Sequence, residues 1–98
     1  MTVSVSFHKL AETELYEAAQ YYESESEGLG KLFLDHIEAA VQRIQKYPES
    51  APLINEVVRR MIVQRFPYNV LYSAVSDSVR ILAIANQKRR PFYWSGRI

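Results

Sequence analysis

The chain has 98 residues, of which 48% are hydrophobic and 23% are charged, and its formal net charge is +1. This composition is typical of one folded domain and excludes a disordered chain, and no apolar run approaches the roughly 20 residues of a membrane-spanning helix. Cysteine is absent, which excludes disulfides and thiolate catalysis. The first residues also lack the basic and apolar segments of a secretory signal. We therefore predict a single cytoplasmic domain, residues 1–98, without membrane association.

The small net charge conceals an uneven distribution along the chain. Residues 1–56 carry four basic and ten acidic side chains, a net charge of −6, whereas residues 57–98 carry eight basic side chains and one acidic side chain, a net charge of +7. The second half therefore attracts polyanions, and either nucleic acid or an acidic protein segment would suit it as a partner.

The first half of the chain predicts a strand followed by two helices. Val3, Val5 and Phe7 alternate with polar residues, as in a half-buried strand. Two amphipathic helices follow, separated by a break at Gly28-Leu29-Gly30, and Pro48 ends the second helix. The glutamates of the first helix, including Glu12, Glu14 and Glu17, are predicted to face the solvent. The predicted apolar stripes are Ala11, Leu15, Ala18 and Tyr22 on the first helix, and Phe33, Ile37, Ala40, Ile44 and Tyr47 on the second.

The second half predicts three strands after a connector at residues 48–56. Two runs rich in β-branched and aromatic residues flank Phe66-Pro67, which we interpret as a corner because proline cannot donate to a β-ladder. A polar loop, Ser76-Asp77-Ser78, leads into the third run at 79–86. The predicted order is β-α-α-β-β-β, an α+β fold in which a helical hairpin covers one face of an antiparallel sheet.

Side chains of the predicted strands and the tail have structural as well as functional interpretations. Arg59 and Arg60 are adjacent on a strand, so only one of them is expected on the open face. Tyr68 and Tyr72 share a face and are expected in the core. The tail combines Lys88-Arg89-Arg90 with Phe92, Tyr93 and Trp94, a mixture that suits either stacked bases and phosphates or docking of the aromatic rings onto the sheet.

Nearly the whole chain takes part in one recognisable pattern. Its parts are Ala-x-x-x-Leu-x-x-Ala-x-x-Tyr-Tyr at 11–22, Gly30-x-x-Phe33 with Ile44 and Pro48, Arg60, Arg65-Phe66-Pro67-Tyr68, Tyr72, the apolar strand at 79–85, and Arg89-Arg90-Pro91 with Tyr93-Trp94. This pattern resembles the RelE/ParE superfamily of bacterial type II toxins, and most closely its ParE-like, plasmid-stabilisation branch. The resemblance implies a toxin that a cognate antitoxin holds inactive, either as a toxin–antitoxin hetero-oligomer or with the toxin forming a homodimer.

The superfamily contains two activities, and the residues at the end of the last strand bear on the choice. RelE-like members cleave messenger RNA on the ribosome, whereas ParE-like members inhibit DNA gyrase by binding. Many relatives place a histidine at the end of the last strand, where this chain has Asn86, and an amide does not titrate near neutral pH. His8 is expected to cap the first helix or to lie on the surface. His36 is expected to be a partly buried residue of the second helix.

We therefore predict a gyrase inhibitor that acts by binding, and the question of an enzymatic activity stays open. The alternatives are a ribosome-dependent endoribonuclease and a non-toxic relative that only binds its antitoxin. The weak catalytic candidates are Arg65, Lys88, Arg89 and Tyr93. The candidates for target or antitoxin binding are Arg60, Arg65, Arg80, Asn86, Lys88, Arg89, Arg90, Tyr93 and Trp94. No metal site and no cofactor are predicted, since no group of metal-ligand residues has suitable spacing.

Overall fold

The computed structural model describes residues 3–98 and places two helices against a four-stranded sheet. The elements in chain order are β1 (Ser4–Phe7), α1 (Lys9–Glu25), α2 (Leu29–Lys46), β2 (Arg59–Ile62), β3 (Tyr68–Val75), β4 (Ser78–Asn86) and a final short 3₁₀ helix (Ser95–Arg97). This order confirms the predicted β-α-α-β-β-β fold.

The strands lie in the order β1-β4-β3-β2. The pairs β2–β3 and β3–β4 are antiparallel, as predicted for the second half of the chain. The first strand differs, because it pairs in parallel with β4 over Ser4–Phe7. The parallel pair is possible because the helical hairpin and two further strands intervene, and a parallel neighbour requires such a long crossover.

The two helices pack on one face of the sheet and form the main core with it. The predicted stripes are confirmed for Ala11, Ala18, Phe33, Ile37, Ala40 and Ile44, which are all buried there. Phe66 and Tyr72 join this core from the sheet side, and the Tyr72 hydroxyl donates to the Pro48 carbonyl oxygen at 2.8 Å. The prediction for Tyr47 was wrong, because it follows the last residue of α2 and its ring is exposed.

The break between the helices is shorter than predicted. Gly28 has a φ of +86°, a conformation that L side chains rarely adopt, whereas Leu29 and Gly30 already belong to α2. Gly30 is needed for packing: a Cβ atom there would lie 2.5 Å from the Ala19 carbonyl oxygen of α1. The Glu23 carboxylate accepts hydrogen bonds from the backbone N–H groups of Gly28 and Gly30, both at 2.9 Å, and so caps the start of α2.

A second, smaller core lies on the opposite face of the sheet. Its buried members are Val58, Leu71, Leu82, Ala83, Ala85 and Trp94. A bulge in β4 makes this core possible, because Leu82 has no partner between the pairs Leu71–Ala83 and Tyr72–Ile81. The extra residue shifts the alternation of β4, so that Leu82 and Ala83 both contribute to this smaller core.

Candidate interaction cleft

The face of the sheet opposite the helices carries an open cleft of about 290 Å³. It lies between the ends of β3 and β4 and the C-terminal segment, residues 87–98. Its floor is apolar, formed by Ile54, Leu71 and Ala85. The rim is polar and aromatic, with Arg60, Asn69, Asn86, Gln87, Arg89, Arg90, Pro91, Phe92, Tyr93 and Trp94. Three arginines and no acidic side chain line this cleft, so it is electropositive.

The strand β2 separates its two arginines as predicted. Arg59 is half-buried and donates from Nη1 to the carbonyl oxygens of Glu49 at 3.0 Å and Ala51 at 2.7 Å, so its charge holds the connector in place. Arg60 is exposed and lines the cleft. Of the pair, only Arg60 is therefore available to a partner at this site.

The C-terminal segment forms one wall of the cleft. Trp94 is buried against the sheet, which confirms the docking interpretation for this aromatic residue, and Phe92 lies 5.6 Å from it, centroid to centroid, with much of its own ring exposed. The guanidinium of Arg89 stacks over the Tyr93 ring, with Cζ 3.9 Å from the ring centroid. The segment therefore presents a fixed cationic and aromatic surface.

Three of the sequence candidates lie outside the cleft. Arg65 is exposed in the corner between β2 and β3 and has a φ of +68°. Arg80 is exposed on β4 opposite Ser73, six residues before Asn86 and therefore roughly 20 Å along the strand. Lys88 is exposed beyond the strand end, where its backbone N–H donates to the Asn86 side chain at 2.8 Å. These three cations are therefore not part of the lining of the cleft.

The side chains of the cleft offer cations and amides rather than an evident acid–base pair. Asn86 ends β4 at the cleft, as expected from the sequence. The Tyr93 hydroxyl donates to Glu14 Oε2 at 2.8 Å, and burial together with this hydrogen bond raises the pKa of the phenol. A phenol whose proton is held in this way is a poor general base.

The two histidines lie elsewhere. His8 precedes α1 and its Nδ1 accepts the backbone N–H of Leu10 at 3.0 Å, which confirms a capping role. His36 is half-buried on α2, with its ring 5.7 Å from the Phe66 ring. Within residues 3–98, no group of three potential metal-ligand side chains comes together, and no helix in this part of the chain is long and apolar enough to cross a membrane.

Sequence reasoning missed the residues that hold the C-terminal segment. Glu14 was predicted to face the solvent, yet it is largely buried and forms an ion pair with Arg97, Oε1 to Nη1 at 2.8 Å. The signal was present, because Glu14 lies at i+3 from Ala11 and i−4 from Ala18 and therefore borders the buried stripe. No pattern in the sequence indicated that Arg97 would be buried or paired.

Comparison with known proteins agrees with this fold. The family model described as the ParE toxin of the type II toxin–antitoxin system parDE matches residues 5–91. The chain belongs to the ParE toxin family. Among curated proteins, none matches this ParE-family chain.

A solved structure shares the fold. It is described as a chromosomal ParDE toxin–antitoxin system from P. aeruginosa, and it superposes with a TM-score of 0.69 at 18% sequence identity. The match covers 86% of this ParE-family chain and 95% of the other chain. At this identity the similarity concerns the fold.

Proposed function

We propose that this ParE-family chain is the toxin of a type II toxin–antitoxin pair and inhibits DNA gyrase by binding it through the cleft face. The observation that supports this site is the clustering of Arg60, Arg89 and Arg90 around an apolar floor, without an acidic side chain in the cleft. Desolvated arginines and aromatic rings are the side chains that most often dominate the energy of a binding interface.

Binding is favoured over catalysis by the chemistry of the same cleft. RNA cleavage of the RelE kind requires a group that activates the 2′-hydroxyl and another that protonates the leaving oxygen. Asn86 does not titrate near neutral pH, and the proton of Tyr93 is held by Glu14. The arginines are suited to contacts with a phosphate or a carboxylate, which a gyrase–DNA assembly presents in number.

We further propose that a cognate antitoxin neutralises the toxin by covering the cleft face with an acidic segment. The net charge of +7 on residues 57–98 supports this partner. Association of the two proteins should then be fast and should slow steeply as the salt concentration rises.

The proposed function is tested by inducing the protein in a bacterial host without the antitoxin and following DNA synthesis and protein synthesis by separate pulse labels. Early arrest of DNA synthesis, with filamentation, is the expected result. Early arrest of protein synthesis would instead identify a ribosome-dependent endoribonuclease. Growth without arrest, from soluble folded protein, would leave a non-toxic relative that only binds its antitoxin.

A further inference from the structure

Beyond Ile81, the outer edge of β4 carries backbone groups that no strand covers, because β1 ends at Phe7. The strand β1 pairs with β4 only from Ser78 to Ile81, so the edge beyond Ile81 has no strand neighbour. Two side chains form hydrogen bonds with this edge instead. Arg97 Nη1 donates to the Leu82 carbonyl oxygen at 3.1 Å, and Glu14 Oε1 accepts the backbone N–H of Ile84 at 3.1 Å.

Glu14 connects three parts of the molecule at this point. Besides the Ile84 N–H of β4, its carboxylate accepts Arg97 Nη1 at 2.8 Å, Arg97 Nη2 at 3.0 Å and the Tyr93 hydroxyl at 2.8 Å. The side chains of Arg97 and Glu14 are only 11% and 14% exposed. A carboxylate buried to this extent and fully hydrogen-bonded fixes its partners in one arrangement, and breaking such a pair leaves an uncompensated charge.

The network continues to the cleft through the Tyr93 ring. The hydroxyl at one end of the ring is held by Glu14, and the guanidinium of Arg89 stacks on the face of the ring. Arg97 also lies against this ring, with Cζ 5.1 Å from the centroid. Because a stacked guanidinium follows the plane of its aromatic partner, the orientation of Arg89 depends on the hydrogen bond at the far end of Tyr93.

We propose that Glu14, on the first helix, is a positioning residue for the cleft: it anchors the C-terminal segment through Arg97 and, through Tyr93, sets the guanidinium of Arg89 at the rim. The effect of Glu14 on target binding rests on the proposed function. Its effect on the position of Arg89 does not. Two kinds of measurement therefore separate the two claims.

The first measurement uses the purified full-length protein and the variant Glu14→Gln, which keeps the size of the side chain and removes its charge. The ring current of Tyr93 should shift the Arg89 side-chain N–H resonance, and the variant should move that resonance towards the value of a free arginine. The single tryptophan, Trp94, should become more accessible to an aqueous quencher, while far-ultraviolet circular dichroism reports an intact fold.

The matched control is Glu12→Gln, the same substitution at an exposed position of the same helix. It should leave the Arg89 resonance and the accessibility of Trp94 unchanged. If Glu14→Gln does not fold, Tyr93→Phe removes only the hydroxyl and should produce the same displacement of Arg89 in a folded protein. The proposal is overturned if the Arg89 resonance is unchanged in a folded Glu14→Gln protein, or in Tyr93→Phe where Glu14→Gln does not fold.

The second measurement is a double-mutant cycle on gyrase inhibition with Glu14→Gln and Arg89→Ala. If Glu14 acts through Arg89, Glu14→Gln should weaken inhibition roughly tenfold in the wild-type background and have little effect when Arg89 is already alanine. Equal losses in both backgrounds would contradict the positioning role. If the wild-type protein does not inhibit gyrase, the proposed function fails, and the Arg89 resonance still decides the role of Glu14.

Discussion

At the scale of single residues, the cleft combines side chains whose roles are set by their neighbours rather than by their type. Arg59 and Arg60 are adjacent in sequence, yet one is bound to the connector and the other lines the cleft. Tyr93 was a candidate for catalysis from sequence, but its hydroxyl is a hydrogen-bond donor to Glu14. Arg59 and Tyr93 are therefore engaged in contacts within the protein, whereas Arg60 is exposed at the cleft.

The Tyr93 phenol should titrate well above its ordinary pKa of 10.0, chiefly because burial disfavours the anion. Since the pKa in the folded state is the higher one, this group stabilises the fold fully below pH 10.0, and the contribution is lost as the pH rises through the folded value. The signal of this one phenol is isolated by subtracting the near-ultraviolet absorbance titration of Tyr93→Phe from that of the wild type. A difference signal that appears at or below the ordinary pKa would contradict the hydrogen bond to Glu14.

At the scale of the elements, the helical hairpin depends on a close approach of its two helices. Replacing Gly30 by alanine would place a Cβ atom against the Ala19 carbonyl oxygen. We expect Gly30→Ala to lower the free energy of unfolding by about 1–3 kcal/mol, more than the gain of roughly 0.5–1 kcal/mol from the better helix former. Urea denaturation measures the change.

Gly96→Ala is the matched control for this substitution, because a Cβ atom at Gly96 would have no atom within 4 Å other than those of Gly96 and its chain neighbours. Its stability should stay within about 0.5 kcal/mol of the wild type. If the two alanine variants are equally stable, the helices do not pack as closely as the structure places them.

The start of α2 should make the stability of the hairpin sensitive to acid. Hydrogen bonds from the N–H groups of Gly28 and Gly30 lower the pKa of Glu23 from its ordinary value of 4.5. A lowered folded pKa stabilises the fold above pH 4.5, and this contribution is lost as the pH falls through the folded value. Glu23→Gln should therefore lower the melting temperature more at neutral pH than at about pH 3.

Glu27→Gln serves as the comparison, since Glu27 is exposed between the two helices and the Glu23 carboxylate makes the capping hydrogen bonds. Its effect should be small at both pH values. If Glu23→Gln lowers the melting temperature equally at both pH values, the charge of the carboxylate is not what caps α2.

The elements could be predicted from sequence because each carries a periodic or local signal. Alternation in β1, the apolar stripes of α1 and α2, and Phe66-Pro67 at the corner all appear in the fold as expected. The parallel pairing of β1 and the bulge at Leu82 had no such signal, since both depend on which strands become neighbours.

The candidate site was predictable only in part for the same reason. The basic and aromatic tail was evident from composition, and Arg60, Arg89 and Arg90 do lie together. Arg80 lies further along β4 and Arg65 lies in the corner after β2, so neither lines the cleft. The contacts of Glu14 with Tyr93 and Arg97 join residues 79 and 83 positions apart. No local pattern reports contacts at that separation.

At the scale of the whole molecule, the uneven charge of the sequence becomes a spatial arrangement. The basic second half supplies the sheet face and the tail that form the cleft, whereas the acidic first half supplies the helices on the other face of the sheet. We attribute the proposed target binding to the cleft rather than to overall positive charge. A comparison of equal numbers of basic residues inside and outside the cleft separates these two explanations.

Inhibition of DNA supercoiling by purified gyrase tests this claim most directly. The wild-type protein should inhibit, and a variant with Arg60, Arg89 and Arg90 replaced by alanine should lose at least roughly tenfold in potency, because arginine is enriched among the interface residues whose truncation costs more than about 1 kcal/mol. A variant in which three exposed basic residues of α2 are replaced by alanine, Lys31, Arg43 and Lys46, loses the same charge outside the cleft and should inhibit as the wild type does. Full potency of the triple variant, in a folded protein, would contradict the account.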